Sequence, residues 1–547
     1  MDGCHSPGGQ EVERIDRSRR SAGGWRAARA AAGGSSGRCW LLPLALGAAT
    51  ALSLPACSSA PAPAPPASVT LTIGLPQVSQ IDPSRGLATI ADLIANERMT
   101  ASDANGRARP LLLDRWSTSA DGLVWRLRMR SGLRFHDGST VTTADIVRAI
   151  EEDRKDSNGM GACLRDIADV TAIDDRDVDV TLTRRCFFLL DDLLSAVTRP
   201  RGPGAAAVGT GPFSIAALSA DELRLDANRN YHLGRPAADT VVVRSYDTLR
   251  TAWAEMMRGG LDFLPEVGPD SAEFLADQSS IDLRTYVSAY ANMLLLNSGR
   301  PIFRSPDVRR ALNFAVDRTA LVQQGQKGRG VPATVPTWPN HWAHGEAGGG
   351  FTYDPGRAAT LLAGAHAATG RPGAAPGSPM LEFTCLIPAK FAILERLSLL
   401  IQRQFAEVGV RMRVESIQPE ALYRRMVSGN FDALLLPFLS GPYAWVPFRT
   451  WHSPGASKRW NYWGYRNAAV DAALDAMRDA RDDPEFVRAL RRFELAFEND
   501  PPAVLLTWNQ TIQAVSHRFV VPREADGRDA MHFIDRWTLR PPGHDQP

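Results

Sequence analysis

Side chains able to make or break bonds are scattered along the 547 residues rather than gathered. Gly33-Gly34-Ser35-Ser36-Gly37 matches the letters of a nucleophile elbow. It lacks the strand and helix patterns that would strain and expose such a serine. None of the four lysines (Lys155, Lys327, Lys390, Lys458) has a serine three residues before it. Gly209-Thr210-Gly211 opens like a dinucleotide loop, but Pro212-Phe213 follows and the third glycine is missing. His341 and His344 are the closest pair among ten histidines, with only Glu346 beside them. A zinc-like site needs more ligands, so a solvated loop is expected there. No HExxH, CxxC or P-loop occurs. The chain reads as a binder, with no catalytic residues, no metal and no cofactors.

Aromatic density stands out instead. Nine of the 28 residues from Phe438 to Tyr465 are Phe, Tyr or Trp, about a third against 8% for the chain. Gly441-Pro442, Ser453-Pro454-Gly455 and Gly464 divide the stretch into loops. Rings on loops over a rigid body make stacking walls for a ligand, and a satellite core is the other reading. The expected ligand-binding residues here are Phe438, Tyr443 and Trp445, joined by Trp338 and Trp342 of the earlier Trp-rich loop. Arg449 is the candidate to meet a carboxylate.

These side chains need α/β elements to hold them. Val69–Ile73 and Trp125–Met129 alternate as strands. Thr142 or Thr143 is placed to cap a helix from Ala144. Val170–Ile173 and Val178–Leu182 flank an Asp-rich turn and read as a hairpin. Cys163 and Cys186 lie 12 residues before and 11 after Asp175 in that turn. Antiparallel pairing brings them opposite, so a disulfide is expected, worth ~3 kcal/mol by chain entropy. Cys385 is then an unpaired core thiol. Ser305-Pro306-Asp307 opens a helix that Gly325 is expected to stop. Phe391–Val408 is an amphipathic helix, capped by Gly409 and followed by the alternating Val410, Met412 and Val414. Asp483-Pro484 opens another, closed by Pro501-Pro502.

The start of the chain bears on compartment. Trp40–Ala56 is an uncharged run of 17 residues, short for a span and suited to an export signal. It ends in Leu54-Pro55-Ala56-Cys57, which resembles a bacterial lipobox with Cys57 as the lipidation site. Ser58–Ser68 alternates Ala and Pro, an extended spacer of some 30 Å at ~3.1 Å per residue. Formal net charge is +2, with seven Arg against four acids before residue 57, so the remainder sits near −1. Nothing there draws nucleic acid.

Ordered blocks then carry a resemblance. Leu111–Ile146 holds a DGLxW turn, a strand, an FHDG turn and a helix-starting TxxD. Gly209-Thr-Gly-Pro-Phe213 precedes Asn228–Pro236. Leu294-Leu-Leu-Asn297 precedes Val308-Arg-Arg-Ala-Leu312 and Asp317. Gly429-Asn-Phe-Asp432 and the stretch from Asp500 to Trp508 follow. With Ile81-Asp82-Pro83, these blocks resemble the bacterial family 5 extracellular solute-binding proteins, the peptide, nickel and oligosaccharide receptors of ABC importers.

The resemblance implies an α/β, two-lobed periplasmic-binding-protein clamp fold with an extra subdomain in lobe I. The expected division is 1–56 export segment, 57–68 linker, 69–275 lobe I, 276–505 lobe II and 506–547 return to lobe I with the tail. Crossovers are expected near Asp262–Tyr290 and Pro501–Ile512. Asn297 joins the expected ligand residues. The implied partners are a small ligand, by default a peptide, and ABC permease and ATPase subunits. A monomer at the periplasm or cell surface, held to a membrane by its lipid, is expected. Peptide-binding relatives carry an acid that holds the peptide amino terminus in the segment matching Leu434–Trp445. This chain has none there. A charge-assisted hydrogen bond is worth ~1.5–3 kcal/mol, so blocked peptides, larger apolar ligands or glycans become alternatives.

Overall fold

Two long strands, Ile281–Leu296 and Ala503–Ser516, run antiparallel at the centre of an eleven-stranded sheet. The structure, a computed structural model, describes residues 68–76, 86–155, 162–200, 207–345, 350–368, 379–443, 445–453 and 461–541. The export segment, Cys57, the linker up to residue 67, Ile81-Asp82-Pro83, Glu346 and Trp460 lie outside the described residues.

On one side of the central pair the sheet continues through Ala433–Leu439, Leu381–Pro388 and Val410–Ile417. On the other it continues through Phe263–Val267, Thr70–Pro76, Thr240–Tyr246, Glu222–Ala227 and Phe213–Leu218. Runs such as Val241-Val242-Val243 and Leu294-Leu295-Leu296 are buried throughout, as expected of strands covered on both faces. The helix Ala392–Glu407 turns Leu394, Leu397, Ile401 and Phe405 inward, and Gly409, at φ +80°, reverses the chain into Val410–Ile417.

The central strands are where the two halves of the sheet join. Ile281–Val287 pairs with Ser516–Gln510, and Ala291–Leu295 pairs with Trp508–Ala503; the register shifts between Val287 and Ala291. A bulge of this kind bends a strand locally. The bulge carbonyls are taken up: Ser288 O accepts from Trp338 Nε1 at 3.2 Å, and Ala289 O from Ser440 N at 2.9 Å. Gly441 is required here, since a Cβ would lie 2.5 Å from Trp338. Beside the bulge, Asn292 Nδ2 donates to Thr507 Oγ1 at 3.0 Å and Asn509 Oδ1 at 2.7 Å.

A separate antiparallel sheet is ordered Leu113–Thr118, Val124–Met129, Asp177–Leu182, Ile167–Ala172. The helix Thr143–Lys155 packs on it. Its start is set by Asp145, whose carboxylate accepts from Thr142 N and Oγ1, while Thr143 Oγ1 donates to Asp174 O. The side chains of this sheet belong to the same apolar cluster as those around Leu294, Phe405 and Phe493, whereas Leu71, Val241 and Phe533 belong to a second cluster. Gly209 and Gly211 lie against the backbone of Ile94 and Ala95, where a Cβ would come within 2.5 Å of a carbonyl oxygen. His136 Nε2 hydrogen-bonds Gly211 O at 3.0 Å, a structural role.

Two expectations are corrected. The helix from Pro306 ends at Phe314, not Gly325, because Asp317 accepts from Ala320 N and caps a new turn. The aromatic stretch is not all loop: Trp445–Trp451 is helical, with every side chain buried.

Candidate functional site

Beside the apolar cluster that the four-stranded sheet shares with the rest of the core, two short segments make contacts with distant residues. The first is Arg184–Asp192. Cys163 and Cys186 are disulfide-bonded, with Cα atoms 5.9 Å apart. Asp192, buried beside them, accepts from Cys163 N at 2.6 Å, and burial pushes its carboxyl well above the usual range. Thus anchored, the segment reaches outward: Arg184 pairs with Asp479 at 2.6 Å, and Phe187 N donates to Arg478 O at 2.7 Å. The second is Asn105–Ala108. Asn105 O accepts from Trp342 N at 3.0 Å. The Arg107 guanidinium lies 3.8 Å over the Trp342 ring and pairs with Asp483 at 2.6 Å.

Between these segments the rings stack face to face. Phe187 and Phe486 have centroids 4.8 Å apart, and Phe486 and Trp342 are 5.2 Å apart. His341, expected in a solvated loop, is instead buried: it stacks on Trp342 at 5.5 Å, its Nδ1 accepts from Ala343 N at 3.2 Å, and burial lowers its pKa to about 4. Beside the stack is a cavity of about 410 Å³ walled by Trp116, Trp125, Trp342, Phe187, Arg107 and Arg185, with Asp191, Arg481 and Asp483 also reaching it. Apolar rings with a few charged groups are what a small-molecule site offers.

The sequence-predicted residues fall in three places. Trp342 lines the cavity. Trp338 and Tyr443 border a separate void of about 10 Å³, room for one water at most. The rest are packing. Trp445, 2% exposed, lies between Tyr443 (centroids 5.9 Å) and the Arg449 guanidinium (4.7 Å). Arg449 is buried near the charge of Asp192, and burial lowers its pKa to about 10, so it remains a cation at neutral pH. Phe438 sits between Trp451 and Trp463. Asn297 donates to the carbonyls of Gly429 (3.1 Å) and Phe431 (2.9 Å). Sequence reading missed Arg107, Arg185, Phe187 and the Trp116–Trp125 wall. The one available signal was that Arg185 and Phe187 flank Cys186.

Cys163, Cys186 and Asp192 bring three ligand atoms within 4.8 Å of one another. The sulfurs are bonded to each other, so neither is the thiolate a metal requires.

The profile of the bacterial extracellular solute-binding proteins, family 5, matches residues 107–470. A probable di/tripeptide-binding protein 5 of Pseudomonas aeruginosa is 24% identical over 382 residues, 63% of this chain and 71% of that one. The glutathione-binding protein GsiB of Salmonella typhimurium is 23% identical over 491 residues, 85% and 94% of the two chains. Among solved structures, NikZ of Campylobacter jejuni, in complex with Ni(L-His), superposes with a TM-score of 0.72 at 20% identity, covering 86% of this chain and 99% of its own. AppA of Bacillus subtilis, in complex with a nonapeptide, gives 0.71 at 19%, covering 87% and 100%. The fold is the two-lobed α/β clamp, and the chain belongs to the bacterial extracellular solute-binding proteins, family 5.

Proposed function

We propose that this protein is the extracytoplasmic receptor of an ABC importer, that its cargo is a short peptide, and that it delivers this cargo to a membrane permease without chemical change. The observation that carries the reading is the 410 Å³ cavity beside the stack, where side chains from residues 106–191 meet Trp342 and residues 480–483. Its volume lies within the ~300–1,000 Å³ of small-molecule sites. Ligand contacts available only when both lobes are together favour the closed state, which is how a clamp captures cargo. The names of the di/tripeptide- and glutathione-binding relatives favour peptides; NikZ makes a metal chelate the outcome to test against.

In this reading the lobes divide near residues 275 and 505, with bending at the Val287–Ala291 bulge; the pairing of the two long strands there supports it. Cys57 is the acylation site in this reading, with several acyl chains holding a monomer to the membrane. Native mass spectrometry of the purified protein, followed by calorimetry with the released compound, tests the function. A peptide that binds and is recovered intact supports it; a nickel chelate, a glycan or a hydrolysed product refutes it. Retention of a Cys57→Ser variant in the membrane fraction refutes the anchor.

A further inference from the structure

Three guanidiniums and two carboxylates reach the cavity wall, an excess of one positive charge. Two of the three cations are already matched. Arg107 is bound to Asp483, and Arg481 hydrogen-bonds Glu485 through both Nε and Nη2. Arg185 differs. Among the described residues no carboxylate stands within ion-pair distance of it, and Asp121 acts on it only at longer range. Its stem lies along the turn at Gly122, where a Cβ would sit 2.9 Å from Arg185 Cδ; Gly122 has φ +72°. Its backbone is fixed on the C-terminal side, by the disulfide at Cys186 and by Phe187 N on Arg478 O at 2.7 Å. With its stem and the following backbone placed this way, the side chain has less freedom to lose on meeting an anion, and its guanidinium can offer two parallel donors. The rings of Trp116, Trp125, Trp342 and Phe187 line the same space.

We propose that Arg185 is the anion-recognising, specificity-determining residue of this cavity, and that the preferred cargo carries a free carboxylate beside a flat apolar group, as in a short peptide ending in an aromatic residue. This rests on the cavity being the cargo site.

The test uses the purified protein and an equimolar pool of tripeptides ending in Phe, half as free acids and half as carboxamides, with retained species counted by mass spectrometry. The wild type is expected to retain acids over carboxamides by roughly tenfold, about one charge-assisted pair. Arg185→Gln should bring that ratio toward one at an unchanged melting temperature, and Arg185→Lys should keep part of it. Equal retention of the two series by the wild type, or an acid preference that survives in Arg185→Gln, overturns the assignment while leaving peptide binding intact. Retention of neither series overturns the peptide reading as well.

Discussion

Arg107 and Trp342, far apart in sequence, are in face contact at 3.8 Å, and Asp483 binds the same guanidinium at 2.6 Å. One half-exposed side chain thus ties the segment Asn105–Ala108 to two distant parts of the chain. Arg107→Ala should act on closure rather than folding. A cation–π contact and an outer ion pair together are worth about 1–2 kcal/mol. Cargo affinity should fall roughly five- to thirty-fold, with melting temperature nearly unchanged. Calorimetry and calorimetric melting check both, and unchanged affinity would refute a closing role for the pair.

Trp445 should behave in the opposite way. It is 2% exposed, in a helix whose every side chain is buried. Trp445→Ala should cost about 3–5 kcal/mol of stability through the cavity it leaves. Denaturant unfolding reads this directly; a loss below 1 kcal/mol would mean that the ring is not packed as described.

The disulfide makes a countable prediction. In protein that has lost the segment before Val69, denatured thiol titration should find one sulfhydryl, Cys385, and three after reduction. Burial raises the Cys385 thiol to about 12, so it should stay inert until the protein unfolds. Replacing Cys163 and Cys186 together by Ala should remove about 3 kcal/mol. Three sulfhydryls without reductant would exclude the bond.

His341 predicts a pH dependence. Its ordinary pKa is 6.5, and in the fold it is lowered to about 4 by burial, with His344 and Arg107 adding to the effect. The folded state therefore prefers the neutral ring, whose Nδ1 accepts from Ala343 N. The associated stability is complete above pH 6.5 and is lost as pH falls toward 4, by about 3 kcal/mol. Urea midpoints at pH 7 and pH 4.5 should differ less in His341→Gln than in the wild type. An equal difference in both would dismiss His341 as the source.

Much of the scaffold was legible because its residues are amphipathic or punctuated. The Phe391–Val408 periodicity, Gly409 and the Asp174–Asp177 turn each carry a local signal, and the two cysteines could be counted off that turn. The Trp445–Trp451 helix was illegible for the converse reason: with no side facing water, it shows no polar face for a period to reveal. The stop at Phe314 depends on Asp317 capping the next turn, a choice that local propensity alone does not make. The cavity wall draws on residues from Arg107 to Asp483, placed together only by tertiary packing. Arg185 carries no pattern of its own, and its neighbour Cys186 was read for its bond rather than for what the bond fixes.

The antiparallel ladder between Ile281–Leu296 and Ala503–Ser516 has a mechanical corollary. The two strands are stitched to each other, so neither can slide or twist without breaking main-chain bonds along the other. Flexing would then be cheapest at the bulge, where the ladder is interrupted, and a hinge placed there would turn about a single axis. A bulkier guest would be accommodated by a wider angle, and the distance between labels placed on opposite lobes would report guest size as one continuous reading.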